Sequence, residues 1–110
     1  MANKYFRDFI APSATVETVL YTVPDANSAV LRSLRVTNAG SSSSNITVSE
    51  YHSGDATTHY LLKAKPLAVN ATIDVFNGVP CVMETGDALK VTSSGASVHF
   101  YLSYLEIDRS

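Results

Sequence analysis

Two histidines and an aspartate near the middle of the chain are the residues whose types could bind a metal ion. His52 and His59 lie seven positions apart, and Asp55 lies in the turn between them. Imidazole and carboxylate groups suit zinc, but zinc sites usually place two ligands within a few positions of each other. Because this spacing matches no such pattern, we interpret the three residues as surface or interface groups, and we expect no metal and no cofactor. A weak site for a divalent ion at this loop tip is the alternative.

The sequence lacks the groupings that support nucleophilic or acid–base catalysis. Cys81 stands alone in an apolar segment, where burial favours the thiol over the reactive thiolate. No Gly-x-Ser-x-Gly motif is present. A glycosidase would need two acids facing each other across a cleft, whereas the acids of this chain are spread over separate turns and strand ends. We therefore predict a protein that is not an enzyme.

Four tyrosines could form a platform on which a sugar ring stacks, and they are Tyr51, Tyr60, Tyr101 and Tyr104. Tyrosine is also a common residue for covering a sheet face or a subunit interface. The chain contains no tryptophan, which weakens the interpretation as a sugar site. Packing or an interface is the favoured role, and a carbohydrate-binding or receptor-binding module remains the alternative.

Composition limits the partners of this single 110-residue domain. Only 16% of the residues are charged, the net charge is −2, and the basic residues are scattered, which argues against nucleic acid as a partner. No apolar segment approaches the length of a membrane span, so we predict no membrane partner. The lone cysteine and the lack of an apolar leader lead us to expect folding in a cytoplasm.

Residues 79–92 indicate the fold class. A short apolar segment is followed by a turn at residues 84–87, in which Gly86 can adopt a positive φ and Asp87 can bond nearby backbone. A second strand and, after another turn, a third strand at residues 98–107 follow. Two consecutive reversals at this spacing predict an antiparallel meander.

The same period of two runs along nearly the whole chain, and no useful window shows helical spacing. Seven to nine short strands with frequent turns predict an all-β protein, a single antiparallel β-sandwich of jelly-roll or immunoglobulin-like topology. Residues 13–110 are expected to form this domain. Within the strand predicted at residues 29–38, Val30, Leu34 and Val36 are expected to face inward, and Arg32 interrupts their alternation, which indicates a bulge or a rim position.

Residues 63–69 are predicted to form a connection, in which Pro66 favours an edge or an extended crossover. Residues 1–12 are predicted to form an N-terminal arm that is rich in bulky apolar groups and ends at Pro12. They could form an edge strand of the sandwich, or an arm whose aromatic side chains dock on a neighbouring subunit.

The strand at residues 98–107 supports the idea of assembly, because it carries large apolar groups on both faces and must be covered on both. One face would pack in the core, and the other would meet the arm or a second subunit. The candidate assembly interface consists of residues from the arm and from this strand: Tyr5, Phe6, Phe9, Ile10, Tyr101, Tyr104 and Leu105.

Several segments together resemble a group of small all-β virion structural proteins of tailed bacteriophages. The resemblance covers residues 16–108 and lies in Val23-Pro24, Val30-Leu31-Arg32-Ser33-Leu34-Arg35-Val36-Thr37-Asn38, Tyr60-Leu61-Leu62, Glu84-x-Gly86-Asp87-x-Leu89-x-Val91 and Ser103-Tyr104-Leu105-Glu106-Ile107. It implies a non-enzymatic particle component made in the host cytoplasm and located in the virion. A capsid decoration (cement) protein is the favoured type, and a neck, tail or baseplate accessory protein is the alternative.

The resemblance further implies a homo-oligomer, with a trimer favoured by analogy with decoration proteins on three-fold axes. The major capsid protein or other virion proteins would be its partners. It transfers no catalytic residues to this chain.

Overall fold

The computed structural model describes residues 3–108, and β-strands are the dominant structure within them. No helix in this range is long and apolar enough to cross a membrane. In chain order the strands are β1 (Asn3–Ile10), β2 (Thr18–Thr22), β3 (Asn27–Asn38), β4 (Ser44–His52), β5 (Thr57–Leu67), β6 (Thr72–Asp74), β7 (Cys81–Met83), β8 (Ala88–Ser93) and β9 (Val98–Asp108).

The strands form two antiparallel sheets that pack face to face. Sheet A has the order β1-β9-β3-β6, and sheet B has the order β2-β8-β4-β5. Strand β7 also pairs with β3, at residues 29–31, whereas β6 pairs with it at residues 35–37. The two short strands thus occupy one position of sheet A, which leaves four positions in each sheet. The predicted antiparallel β-sandwich is confirmed, and its strand order is that of a jelly roll.

The predicted meander at the end of the chain is wrong. Strand β7 belongs to sheet A, β8 to sheet B and β9 to sheet A again, so none of the three pairs with another. The turn at residues 84–87 does form: the Asp87 amide donates to the Glu84 carbonyl at 3.0 Å, and Gly86 has a φ of 86°. Asp87 also accepts from the Glu84 amide at 3.0 Å. The turn therefore carries the chain across the core from one sheet to the other.

The inward face of β3 is shifted by a bulge at Arg32. Pairing with β9 slips between Leu31 and Ser33, and Arg32 is exposed at that point. The extra residue places both Leu31 and Leu34 in the core, where each is fully buried. Val30 was predicted to face inward and instead lies on the outer face, half-buried. The bulge was one of the two roles predicted for Arg32, and here it is confirmed.

Strand β5 is longer than predicted. It continues through residues 63–67, which were predicted to be a connection. Pro66 lies in this strand at the outer edge of sheet B, where a missing amide breaks no ladder bond to a further strand. Of the eleven residues of β5, only Leu67 is buried.

Residues 3–10, within the predicted arm, form β1 at the edge of sheet A. All eight pair with β9 without interruption, from Asn3 opposite Ile107 to Ile10 opposite Phe100. The structure thus has the edge strand that was one of the two alternatives. Docking of the same residues on a neighbouring subunit stays a prediction.

Candidate functional site: the outer face of sheet A

Apolar side chains form a continuous row across the outer face of sheet A. Tyr5 on β1 lies opposite Leu105 on β9, which lies opposite Val30 on β3, which lies opposite Val82 on β7. Directly opposed residues share a face of the sheet, so each of the four side chains lies beside the next on the adjacent strand. Tyr5 is 71% exposed and Val82 is 63% exposed. The row therefore presents apolar surface along the full width of the sheet.

A second aromatic group lies on the same face, towards the end of β1. The rings of Phe9 and Tyr101 stack with their centroids 6.1 Å apart and their planes 2° from parallel. The Arg35 guanidinium lies 5.2 Å from the centroid of the Tyr101 ring, on the side away from Phe9's strand. Phe9 itself is 71% exposed.

These two groups make up a surface that we call the outer patch. It consists of Tyr5, Phe9, Val30, Val82, Tyr101 and Leu105. Isolated exposed apolar residues are ordinary on protein surfaces, whereas the row from Tyr5 to Val82 continues across four strands. Arg7, Ser103 and Ser33 lie between this row and the pair of Phe9 and Tyr101.

The alternation of β1 and β9 divides the seven residues of the predicted interface. Tyr5, Phe9, Tyr101 and Leu105 lie in the outer patch. The other three face the inside of the sandwich: Phe6 stacks on Tyr104 with centroids 5.6 Å apart, and Ile10 packs against the core. Tyr104 is only 5% exposed. These three residues attach β1 to the sandwich.

The side of the sandwich formed by β1 and β2 is joined by a polar and aromatic cluster. The Tyr104 hydroxyl donates to Asp8 at 2.9 Å, and the Tyr21 hydroxyl donates to Glu106 at 2.6 Å. The rings of Tyr21 and Tyr104 lie 4.2 Å apart and so connect sheet B to sheet A. Burial, reinforced by the bonded carboxylates, raises the pKa of both tyrosines well above the usual value. Both hydroxyls therefore stay protonated donors.

A second polar link joins β7 to β4 on the other side of the sandwich. The Cys81 thiol donates to Glu50 at 3.3 Å, and the other oxygen of Glu50 lies 2.6 Å from Nε2 of His52. Burial and the neighbouring Glu50 carboxylate raise the pKa of Cys81 to about 12. The thiol is therefore a neutral structural donor, and its position does not suit nucleophilic chemistry.

His52 and His59 do come close together, with ring centroids 4.9 Å apart. Their polar atoms are directed elsewhere, since His52 bonds Glu50 and His59 contacts the Thr57 hydroxyl at 3.1 Å. The hydrogen bond to Glu50 raises the pKa of His52, and the hydrogen bond from Thr57 lowers that of Asp55. Within residues 3–108 no three His, Cys, Asp or Glu side chains are grouped so that they could hold a metal ion.

The four tyrosines considered for a sugar platform do not share a surface. Tyr51 and Tyr60 lie in sheet B, whereas Tyr101 and Tyr104 lie on opposite faces of sheet A. Tyr51 is covered by Lys90, whose Nζ is 5.0 Å from the ring centroid. Of the four, Tyr60 is the one that is mostly exposed, at 57%.

Sequence reasoning missed Val30 and Val82 as members of the surface. Val30 faces outward because the bulge at Arg32 shifts the inward face of β3, and Val82 lies beside it because β7 pairs with β3. The alternation of β7 itself was a usable signal, because Met83 is buried in the core and Val82 must then face outward.

No model of a known protein family matches the chain, and no curated protein matches it. Solved structures do. A protein from Bacillus endospore appendages, which form a family of disulfide-linked pili, is similar with 10% identity and a TM-score of 0.53 over 100% of this chain and 93% of that chain. A protein of the infectious bursal disease virus particle is similar with 12% identity and a TM-score of 0.52 over 94% of this chain.

The two similarities cover very different shares of the other proteins. The chain spans nearly all of the appendage protein but only 30% of the virus protein. At these identities they establish the fold alone: the sandwich resembles one found in a structural protein of a virus particle and in a pilus-forming protein.

Proposed function

We propose that this chain is a non-enzymatic structural subunit that associates with copies of itself and attaches to a larger virion lattice through the outer patch. The capsid decoration (cement) role predicted from the sequence resemblance is its most specific form, with the major capsid protein as partner. A place in the neck, tail or baseplate would use the same surface.

The outer patch is the observation that carries this proposal. Tyr5, Phe9 and Val82 are each more than half exposed, and they lie on the same face of sheet A as Val30, Tyr101 and Leu105. Tyr21, Tyr104 and Cys81 each donate a hydrogen bond to a carboxylate, so these buried groups stabilise the sandwich. The use of this fold in a virus particle and in pili supports a role in assembly.

The experiment compares the solution mass of the native protein with that of patch variants. Phe9→Ser and Val82→Ser should reduce association at micromolar concentration and reduce cosedimentation with capsids. Tyr60→Ser is the matched control, because it removes an exposed aromatic ring from sheet B. All three variants should retain cooperative unfolding. A native protein that is strictly monomeric and does not cosediment with capsids would contradict the proposal, and a trimer mass would support the stoichiometry implied by the resemblance.

A filament subunit is a second candidate, favoured by the match to the appendage protein over nearly the full length of both chains. A filament of this chain would need contacts other than the disulfide links of the appendage pili. This chain has one cysteine, and one cysteine can join only two copies. Its thiol is also half-buried and bonded to Glu50. Electron microscopy of concentrated protein would show filaments if this candidate holds, and discrete particles or oligomers if it does not.

A further inference from the structure

Strand β1 has a free edge that suits pairing with a second strand. It is the outermost strand of sheet A, and it pairs with β9 over eight consecutive residues without a bulge. An edge strand presents unpaired amide and carbonyl groups along its length. Proline, which would interrupt such a ladder, does not occur in it.

We propose that two copies of this chain associate through their β1 edges, in the antiparallel register that places Phe6 opposite Phe6 of the second copy. The inference rests on the self-association in the proposed function and specifies its geometry. A two-fold contact yields even numbers of copies, so it replaces the trimer implied by the resemblance.

Symmetry leaves few registers to consider. Two free edges that face each other in antiparallel orientation are related by a two-fold axis perpendicular to the sheet, so the inner faces of both copies lie on the same side. One residue of β1 must then lie opposite itself. If at least seven residues of each strand are to pair, that residue is Phe6 or Arg7, because β1 runs from residue 3 to residue 10.

The register centred on Phe6 is complementary in charge. On the inner face, Lys4 of each copy lies opposite Asp8 of the other, which gives two opposite-charge pairs. On the outer face, Arg7 of each copy lies opposite Tyr5 of the other, where a guanidinium can contact an aromatic ring. Asp8 uses one oxygen to accept the Tyr104 bond, and a carboxylate has capacity for further donors.

The alternatives place unfavourable groups together. The register centred on Arg7 puts the two guanidinium groups opposite each other and places Asp8 opposite the Phe6 ring. Like charges directly opposite each other destabilise a sheet. A parallel pair of free β1 edges would turn one copy over, so that the outer face of one sheet, with Tyr5 and Phe9, would continue into the inner face of the other, with Lys4 and Asp8. The Phe6-centred register is therefore the one that the side chains of β1 favour.

The contact would also enlarge the outer patch. Because the two-fold axis keeps both outer faces on the same side, the outer patches of the two copies lie on one side of the joined sheet. Tyr5 of each copy lies diagonally across from Tyr5 of the other, with Arg7 of the second copy directly opposite.

Cross-linking tests the register directly. Opposed residues have Cα atoms about 4.5 or 5.5 Å apart, within the usual disulfide range of about 4.4–6.8 Å. In a Cys81→Ser background, Phe6→Cys should therefore form a covalent dimer on mild oxidation. Arg7→Cys is the matched control. In this register residue 7 lies opposite residue 5 of the second copy, so the Cα atoms of the two residues 7 are roughly 8 Å apart, too far for a disulfide. A dimer formed by Arg7→Cys alone would overturn the register.

A charge variant provides an independent test that keeps Phe6 in place. In Lys4→Glu, a carboxylate at position 4 lies opposite Asp8 of the other copy, which gives two like-charge pairs per dimer. The dissociation constant of the dimer should therefore rise on the order of tenfold, and Lys4→Gln should raise it less. If the native protein associates but none of these variants behaves as expected, the edge contact is wrong and the proposed function stands. If the native protein is monomeric, both fail.

Discussion

The two long edge strands β1 and β5 are built in opposite ways. Strand β1 runs beside β9 in one unbroken register and has stacked aromatic rings on both of its faces. Strand β5 pairs with β4 through two register shifts, contains Pro66, and exposes Lys63 and Lys65. Ala64 adds a positive φ of 50° between the two lysines.

The features of β5 are those by which proteins prevent edge-to-edge association: proline, lysine and irregular pairing. Strand β1 has charged residues as well, including the inward-facing Asp8, but Tyr104 satisfies that carboxylate. Exposure alone therefore does not identify an interface. Strand β5 is exposed and blocked, whereas β1 is exposed and regular, so assembly is expected on the β1 side.

The free energy of unfolding should differ most when a tyrosine is replaced by alanine, once next to β1 and once on β5. Tyr104→Ala should lower the free energy of unfolding by about 3–5 kcal/mol, because it removes a buried ring that joins β1, β9 and β2. Tyr60→Ala, on exposed β5, should change it by no more than about 0.5 kcal/mol. Urea denaturation measures both values, and comparable losses would show that β5 is packed as firmly as the β1 side.

An intermediate effect is expected in alkaline solution from two tyrosines on the β1 side, to which the raised pKa of Cys81 adds on the other side. The folded protein keeps Tyr21 and Tyr104 protonated, whereas the unfolded chain releases both protons near pH 10. Stability should therefore be fully present below pH 10 and fall above it, with a slope that approaches about 1.4 kcal/mol per pH unit for each tyrosine. Tyr104→Phe should reduce this slope. An unchanged slope in unfolding curves would contradict the assignment.

The smallest effect concerns His52 on the opposite side. Its pKa is raised in the folded state by the bond to Glu50, so its contribution is present below the unfolded value near 6.5 and is lost as the pH rises through the folded value. His52→Gln should flatten a slight decline in melting temperature over this window. Because the imidazole is exposed, we expect a change close to the limit of detection, and a large one would indicate a coupled network around Glu50.

Local patterning was enough to predict the class of the fold, because alternation decides which residues face the core. It located the bulge at Arg32 and the turn at residues 84–87. The pairing partners of the strands were not predictable. Strands β7, β8 and β9 follow one another with short turns, yet β7 pairs with β3, β8 lies between β2 and β4, and β9 lies between β1 and β3. Whether a turn joins two strands of one sheet or crosses the core depends on packing by distant residues.

The same limit applies to the candidate site. Bulky residues in β1 and β9 were predicted to form an interface, but a list taken from composition cannot separate Phe6, which stacks on Tyr104, from Phe9, which points outward. That separation needs the register of β1 on β9. Val82 enters the surface only through the pairing of β7 with β3.

The pairing of β1 with β9 has a consequence for how the chain is made. Synthesis runs from the amino end, so β1 must wait for β9 before sheet A can close. Of the strands that follow each other directly, β4 and β5 are paired, and most of the remaining pairings join distant parts of the chain. Such topologies fold slowly, on the order of milliseconds to seconds. The aromatic residues of β1 thus stay unprotected on the nascent chain until β9 has been made, and the β1 edge proposed to bind a second copy forms only then.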